Sequence, residues 1–310
     1  MTATDFFQAY RAQRRIAYAL LAILFAVLLA GFWNFRFIDE FGTDVVAGNI
    51  IGDTSALAGD YALRGSAFGL LFAAIAGLAA TFTACNCVVF AMLPGLTCSV
   101  DGSSSKGSAL GAFAVFVTGV LVVSGLYGLV IGFLGTDTVE ALNQTDARFA
   151  QAQIVFTLIG AFMLLWGSVE MGFADKLVSM VPESVRSALG STKTKAAILG
   201  ILVGLFAVGR PFLVFREFLT YAASANNPLY GAITMMVQGL GQIALMAVLF
   251  FIVLYFAKNK ISAVANNAPW KFRLVSAVAL IAGGTYFLYY WGLALAFDVG
   301  QWGFKLGWYA

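Results

Sequence analysis

The chain predicts an all-α polytopic membrane protein that crosses the bilayer about seven times. Hydrophobic residues make up 61% of it and charged residues 11%, against roughly a quarter charged in an average soluble domain. The apolar residues fall in long runs, and about 20 in a row are needed to cross the hydrocarbon layer. Seven such runs lie at 16–35, 66–96, 108–134, 151–173, 196–222, 229–256 and 273–297. The basic residues favour every second connection. With the N-terminus in the cytoplasm, Arg11, Arg14, Arg15, Lys106, Lys176, Arg186, Lys193, Lys195, Lys258, Lys260, Lys271 and Arg273 all fall on inner segments, as short cytoplasmic loops require. The outer segments are acidic, with Asp39, Glu40, Asp44, Asp53 and Asp60 before the second run and Asp137, Glu140 and Asp146 before the fourth. The expected setting is a prokaryotic cytoplasmic membrane, N-terminus cytoplasmic and C-terminus extracytoplasmic. The net charge of +3 reports this topology and gives no reason to expect nucleic acid.

Residues 1–35 read as a cytoplasmic segment and anchor helix. The apolar run is longer than the core of a secretory signal, and no small-x-small cleavage site stands out, so the anchor is expected to be retained. Residues 36–65 carry Gly42, Gly48, Gly52 and Gly59 with no helical period and read as a solvated outer connector. Residues 98–107, CSVDGSSSKG, form a flexible Ser/Gly-rich turn. Within the third run, Gly128 and Gly132 make a GxxxG step that lets helices approach closely. A cytoplasmic loop spans 174–195 and an extracytoplasmic tail 298–310.

The two halves resemble one another. GSALGAFAVFVTGVL at 107–121 matches NPLYGAITMMVQGLG at 227–241, setting Gly111-Ala112 against Gly231-Ala232 and Gly119 against Gly239 at an offset of about 120 positions. Each segment follows a run with an internal proline, Pro94 or Pro211. Residues 66–173 and 196–297 then form two three-helix repeats. An odd number of spans in each makes the repeat inverted, with Pro-broken helices meeting near the midplane.

The second run holds the densest chemistry. Within Thr81–Leu96, TFTACNCVVFAMLPGL, Cys85, Asn86, Cys87, Pro94 and Gly95 interrupt an uncharged stretch, and lipid tolerates such a break only where neighbours or a wet cavity satisfy the backbone. Cys85, Cys87 and Cys98 are the candidate redox thiols. Residues two apart on a helix point nearly opposite ways, so Cys85 and Cys87 pair only if the helix unwinds, and Cys87 meets Cys98 only if the chain folds back at Pro94-Gly95. The alternatives are inert buried cysteines and a soft-metal site in which Cys85, Cys87 and Met92, with Cys98, Met235 or Met236, suit Cu(I). The spacing matches no specific metal motif. The absence of His excludes imidazole-ligated haem and His-based zinc, and no cofactor is expected.

FAMLPGL at 90–96 with Asn86 ahead of it, and GRPFLVFREFLTYAASANNPLYGAITMMVQGLGQIALM at 209–246, resemble the transmembrane family of CcdA and DsbD over about 66–297. The resemblance implies six core spans and a cysteine in each repeat. The pair would carry reducing equivalents from cytoplasmic thioredoxin to an extracytoplasmic thioredoxin-like or cytochrome c maturation protein. The chain departs from that pattern. The family's first cysteine position falls on Val88, its preceding proline on Cys87 and its following glycine on Val89. The second repeat has no cysteine between Pro211 and Val214.

Other candidates are polar groups inside spans, which are functional by default. Arg210 sits beside Pro211, where a proline frees carbonyls that a guanidinium can bond. Arg216 and Glu217 are expected to reach the interface or to pair with each other or with outer carboxylates, and Glu170 to pair with Lys176 or another inner base. Thr234, Gln238 and Gln242 recur every four residues and share a helix face, a polar stripe expected to face the bundle interior. Three functions follow: a CcdA-like thiol relay or maturation factor, a non-catalytic accessory or assembly subunit of a larger membrane complex, and a carrier of soft metal or small solute.

Overall fold

A computed structural model describes residues 3–34, 41–53, 65–82, 106–174, 182–210, 215–257 and 269–309 and the single positions Phe37, Leu57 and Met180. Among them every regular element is helical. Six helices are long and apolar enough to cross a membrane, with windows Arg14–Gly31, Gly107–Phe133, Thr145–Met171, Thr192–Gly209, Pro228–Phe256 and Arg273–Phe297. They belong to α1 (Ala3–Gly31), α4 (Lys106–Phe133), α6 (Thr145–Met171), α8 (Thr192–Gly209), α10 (Pro228–Ile252) and α11 (Pro269–Phe287). The chain is thus an integral multi-span helical membrane protein. The last two are extended by wide, π-type turns at Val253–Ala257 and Leu288–Ala294.

The second expected run, 66–96, is described only as far as Phe82. Its described helix, α3 (Ser66–Ala80), has 15 residues, about 22 Å at 1.5 Å per residue, and Thr81 and Phe82 form a turn. The run expected at 196–222 is two elements, α8 and the short α9 (Glu217–Ser224). Apolar residues continue past Pro211, but a proline disfavours helix in the residue before it, and Arg210 is extended at φ −69°, ψ 124°. The run expected from 151 begins at Thr145 instead, and Gly172, at φ +87°, ends it in the left-handed conformation that glycine tolerates best. The supposedly solvated connector contains α2, a wide helical turn at Phe41–Ala47 running into Gly48–Ile51. It packs on α3 so closely that a Cβ on Gly42 would lie 2.2 Å from the Ala79 carbonyl oxygen. Two further surface helices are α5 (Thr136–Asn143) and α7 (Glu183–Gly190). α12 (Trp302–Lys305) belongs to the tail at 298–310, which folds back so that the Tyr309 hydroxyl donates to the Phe32 carbonyl at the end of α1.

Local chemistry sets several starts. Ser191 caps α8 by accepting from the Thr194 amide, and Asn227 caps α10 by accepting from the Tyr230 amide, with Pro228 at the first helical position. The core joins α4, α6, α8, α10 and α11 around Phe116, Phe156, Phe206, Phe250 and Phe287. α4 and α10 run antiparallel. At one end the Phe113 and Phe250 rings stack with centroids 4.3 Å apart. At the other a Cβ on Gly128 would lie 2.1 Å from the Gly231 carbonyl oxygen, so backbone rests on backbone. The first end carries Lys193, Lys195 and Arg273 and is called the basic end below. The second carries Asp137, Glu140, Asp146 and Asp298 and is the acidic end.

Candidate functional site

α3 and α8 both finish within the bundle, and their C-terminal ends meet. α3 descends parallel to α10: the Tyr230 hydroxyl donates to the Ser66 carbonyl near the start, and the Thr81 hydroxyl donates to the Gln242 carbonyl at 2.9 Å at the end. α8 rises from the basic end and stops at Gly209. Arg210 follows it, 4% exposed, and its Nη2 donates to the Ala80 carbonyl at 3.4 Å. Its guanidinium carbon also lies 4.9 Å above the Phe215 ring, a cation–π distance. The last carbonyls of a helix lack intrahelical donors and carry the negative end of its dipole, so a guanidinium at the end of α3 answers both. The carbonyl that Arg210 meets here belongs to the other half of the chain, 130 positions away.

Alongside this junction runs the polar face of α10. Thr234 and Gln238 are fully buried and Gln242 is 1% exposed. They differ in how they are satisfied. The Thr234 hydroxyl donates to the Tyr230 carbonyl of its own helix at 2.8 Å, the usual back-bond of a threonine inside a helix. Gln242 donates from Nε2 to the Val203 carbonyl of α8 at 3.2 Å. Neither polar atom of the Gln238 amide has a hydrogen-bond partner among the described residues, nor does the buried Ser124 hydroxyl on α4. A buried polar atom without a partner costs about 1–3 kcal/mol. Gln238 and Ser124 therefore mark where the bundle holds polar capacity that its own described atoms do not use.

Cys85, Asn86, Cys87, Met92, Pro94, Gly95, Cys98 and Pro211 lie outside the described residues, as does Lys176. The described part of the second span stops at Phe82, three positions before Cys85. Among the described residues no three His, Cys, Asp or Glu side chains gather as a metal site. Met235 and Met236, the alternative soft ligands, pack against α4 at Gly128 and Gly125.

Of two further charged groups, one meets expectation and one does not. Glu170, with its side chain 10% exposed, pairs with Lys195 and lies 3.7 Å from the Arg273 Nε, tying α6, α8 and α11 together at the basic end. Arg216 is buried within the bundle and pairs with no described carboxylate. It is 4% exposed, and its Nη2 donates to Gln151 Oε1 at 3.2 Å. Gln151 in turn donates from Nε2 to the Val208 carbonyl at 2.8 Å and to the Tyr127 hydroxyl at 3.3 Å. Sequence reasoning did not single out Gln151, Tyr127, Thr81 or Ser124. A glutamine at the first position of the expected run 151–173 reads as an interface residue, and nothing local announces that its three partners come from three other segments.

Compared with known proteins, the chain matches no protein-family model, no curated protein and no solved structure.

Proposed function

We propose that this membrane protein is a thiol relay of the CcdA type, moving reducing equivalents from the cytoplasm to an extracytoplasmic redox or cytochrome maturation protein. The observation that carries the reading is the junction of α3 and α8: the described helix ends at Ala80, five positions before Cys85 in the sequence, and Arg210 from the second half donates to the Ala80 carbonyl. The relay begins when a thiolate of reduced thioredoxin attacks a Cys85–Cys87 or Cys87–Cys98 disulfide. The mixed disulfide resolves onto thioredoxin's second sulfur, leaving two thiols here and oxidised thioredoxin. The extracytoplasmic partner's disulfide then takes the two electrons.

An inverted repeat is part of this proposal, and the helix pairing supports it. α3 lies along α10 as α8 lies along α4, parallel in both cases. The first contact closes on Gly77 and Gly241, where a Cβ on Gly241 would come within 3.0 Å of the Gly77 Cα. The second closes on Gly200 and Gly119, where a Cβ on Gly119 would come within 3.1 Å of the Gly200 Cα. Gly200 lies 123 positions after Gly77, and Gly241 lies 122 after Gly119, close to the offset of the sequence match. The basic end is then the cytoplasmic one.

The test is maleimide mass-tagging of Cys85, Cys87 and Cys98 in intact membranes, oxidised and then treated with reduced thioredoxin, with each Cys→Ser variant alongside. A thioredoxin-dependent shift that needs Cys87 and one partner is the expected result. Cysteines that stay reduced and unreactive throughout would overturn the relay and favour an accessory-subunit role. Gln238 supports a second reading, passage of a small polar solute through the bundle centre. It predicts that Gln238→Leu abolishes uptake into proteoliposomes while leaving thiol reactivity unchanged.

A further inference from the structure

Arg216 poses a separate problem at the acidic end. Guanidinium has five N–H donors, yet Nη2 is the one nitrogen with a partner. Nε and Nη1 are buried and have no hydrogen-bond partner among the described residues. The one partner is a neutral amide. Gln151 is in turn immobilised, because its Nε2 is committed to the Val208 carbonyl and the Tyr127 hydroxyl, which leaves Oε1 aimed at Arg216. One amide thus contacts a guanidinium through its oxygen and a phenol through its nitrogen. The Tyr127 oxygen accepts from Gln151, so its own proton remains available to donate. Asp137, Glu140, Asp146 and Asp298, the carboxylates placed at this end above, are exposed and make no ion pair with Arg216.

We propose that Arg216 and Tyr127 form a binding site for a phosphate group, delivered either by a phospholipid headgroup or as free phosphate. A phosphate brings negative charge to a buried cation and acceptor oxygens for its unused N–H groups and for the Tyr127 proton, and Arg–phosphate hydrogen bonds are among the stronger protein contacts. The depth is suitable. Gln151 lies six residues inside the start of α6, about 9 Å along the helix, close to the acidic end of the bundle. The site is independent of the cysteines and of the relay.

The experiment uses the full chain in phosphate-free maltoside micelles. Inorganic phosphate is titrated against matched ionic strength of chloride, followed by calorimetry and thermal shift, and native mass spectrometry counts the phospholipid retained through delipidation. The wild type is expected to bind in at least one arm: a phosphate-specific thermal shift identifies the free anion, and retained phospholipid without one identifies the headgroup. Arg216→Gln is expected to weaken the effect about tenfold or more, the loss of a charge-assisted contact, and Tyr127→Phe by a smaller factor. Should Arg216→Gln not fold, Arg216→Lys, which keeps the charge but loses the planar fork, is expected to weaken binding in its place. The proposal is overturned if the wild type shows neither phosphate binding nor retained phospholipid, or if folded Arg216 and Tyr127 variants match it in both arms.

Discussion

The two ends of the bundle handle buried charge in opposite ways. At the basic end the carboxylate of Glu170 is met by two cations from two other helices. At the acidic end the guanidinium of Arg216 is met by one neutral amide. Helix spacing differs in parallel. α4 and α10 are held apart by the Phe113 and Phe250 rings at the basic end and press backbone to backbone at Gly128 and Gly231 at the acidic end. Leaving a buried charge without its partner costs about 3–5 kcal/mol in proteins where this has been measured. A clamp and a vacancy of that size have different uses: the basic end holds three helices in register, and the acidic end keeps its polarity for something that arrives from outside the bundle.

The largest effect expected is at the close approach. Gly128→Val drives a side chain into the Gly231 carbonyl, a backbone atom that cannot rotate away, and should destabilise by about 3 kcal/mol or more, the upper range for overpacking. Gly111→Val, on the same helix at the basic end, meets nothing nearer than the Lys193 Cε at 4.0 Å and should change stability by less than about 1 kcal/mol. Denaturation by SDS in mixed micelles measures both. Equal losses would show that α4 is no more tightly held at one end than at the other.

Next comes the clamp. Glu170→Gln leaves Lys195 and Arg273 without their carboxylate. Their side chains are 30% and 60% exposed, so water takes up part of the loss, and the expected cost is about 1–2 kcal/mol, below that of a fully buried pair. The same denaturation, repeated with Lys195→Met and the double variant, gives the coupling. Additive losses would mean that Glu170 and Lys195 do not act on one another.

The same contrast separates what the sequence could reveal from what it could not. The six long helices were legible because lipid demands about 20 apolar residues in a row, a local property. The end of α8 was legible in principle from Pro211, yet the apolar FLVF beyond it drew the span on to 222. The turn after Ala80 has neither proline nor glycine to announce it. Packing of α2 on α3 was illegible because Gly42 signals a turn locally and reveals its close approach only once Ala79 is beside it. Arg210 stood out as a charge inside a span, but its acceptor is a carbonyl 130 positions away. For Arg216 the expectation was a carboxylate or the interface, because a cation near a span end usually finds one or the other. Its actual partner depends on three helices converging on the Gln151 amide.

The smallest effect is the most telling, because its sign differs from that at the clamp. Removing the charge of Arg216 takes away a hydrogen bond to Gln151 and also the desolvation cost of a guanidinium with two unused nitrogens. Replacing buried charge by a neutral group of similar shape is often neutral or stabilising. In phosphate-free, delipidated micelles Arg216→Gln should therefore leave stability unchanged or raise it by about 1 kcal/mol, the scale of one net hydrogen bond, while Glu170→Gln lowers it in the same buffer. Adding the phosphate group should reverse the order of wild type and Arg216→Gln, since only the wild type gains from binding in the folded state. A loss of more than about 2 kcal/mol in Arg216→Gln without phosphate, beyond what one charged hydrogen bond contributes, would make Arg216 a clamp like Glu170. The two ends would then differ in composition and not in purpose.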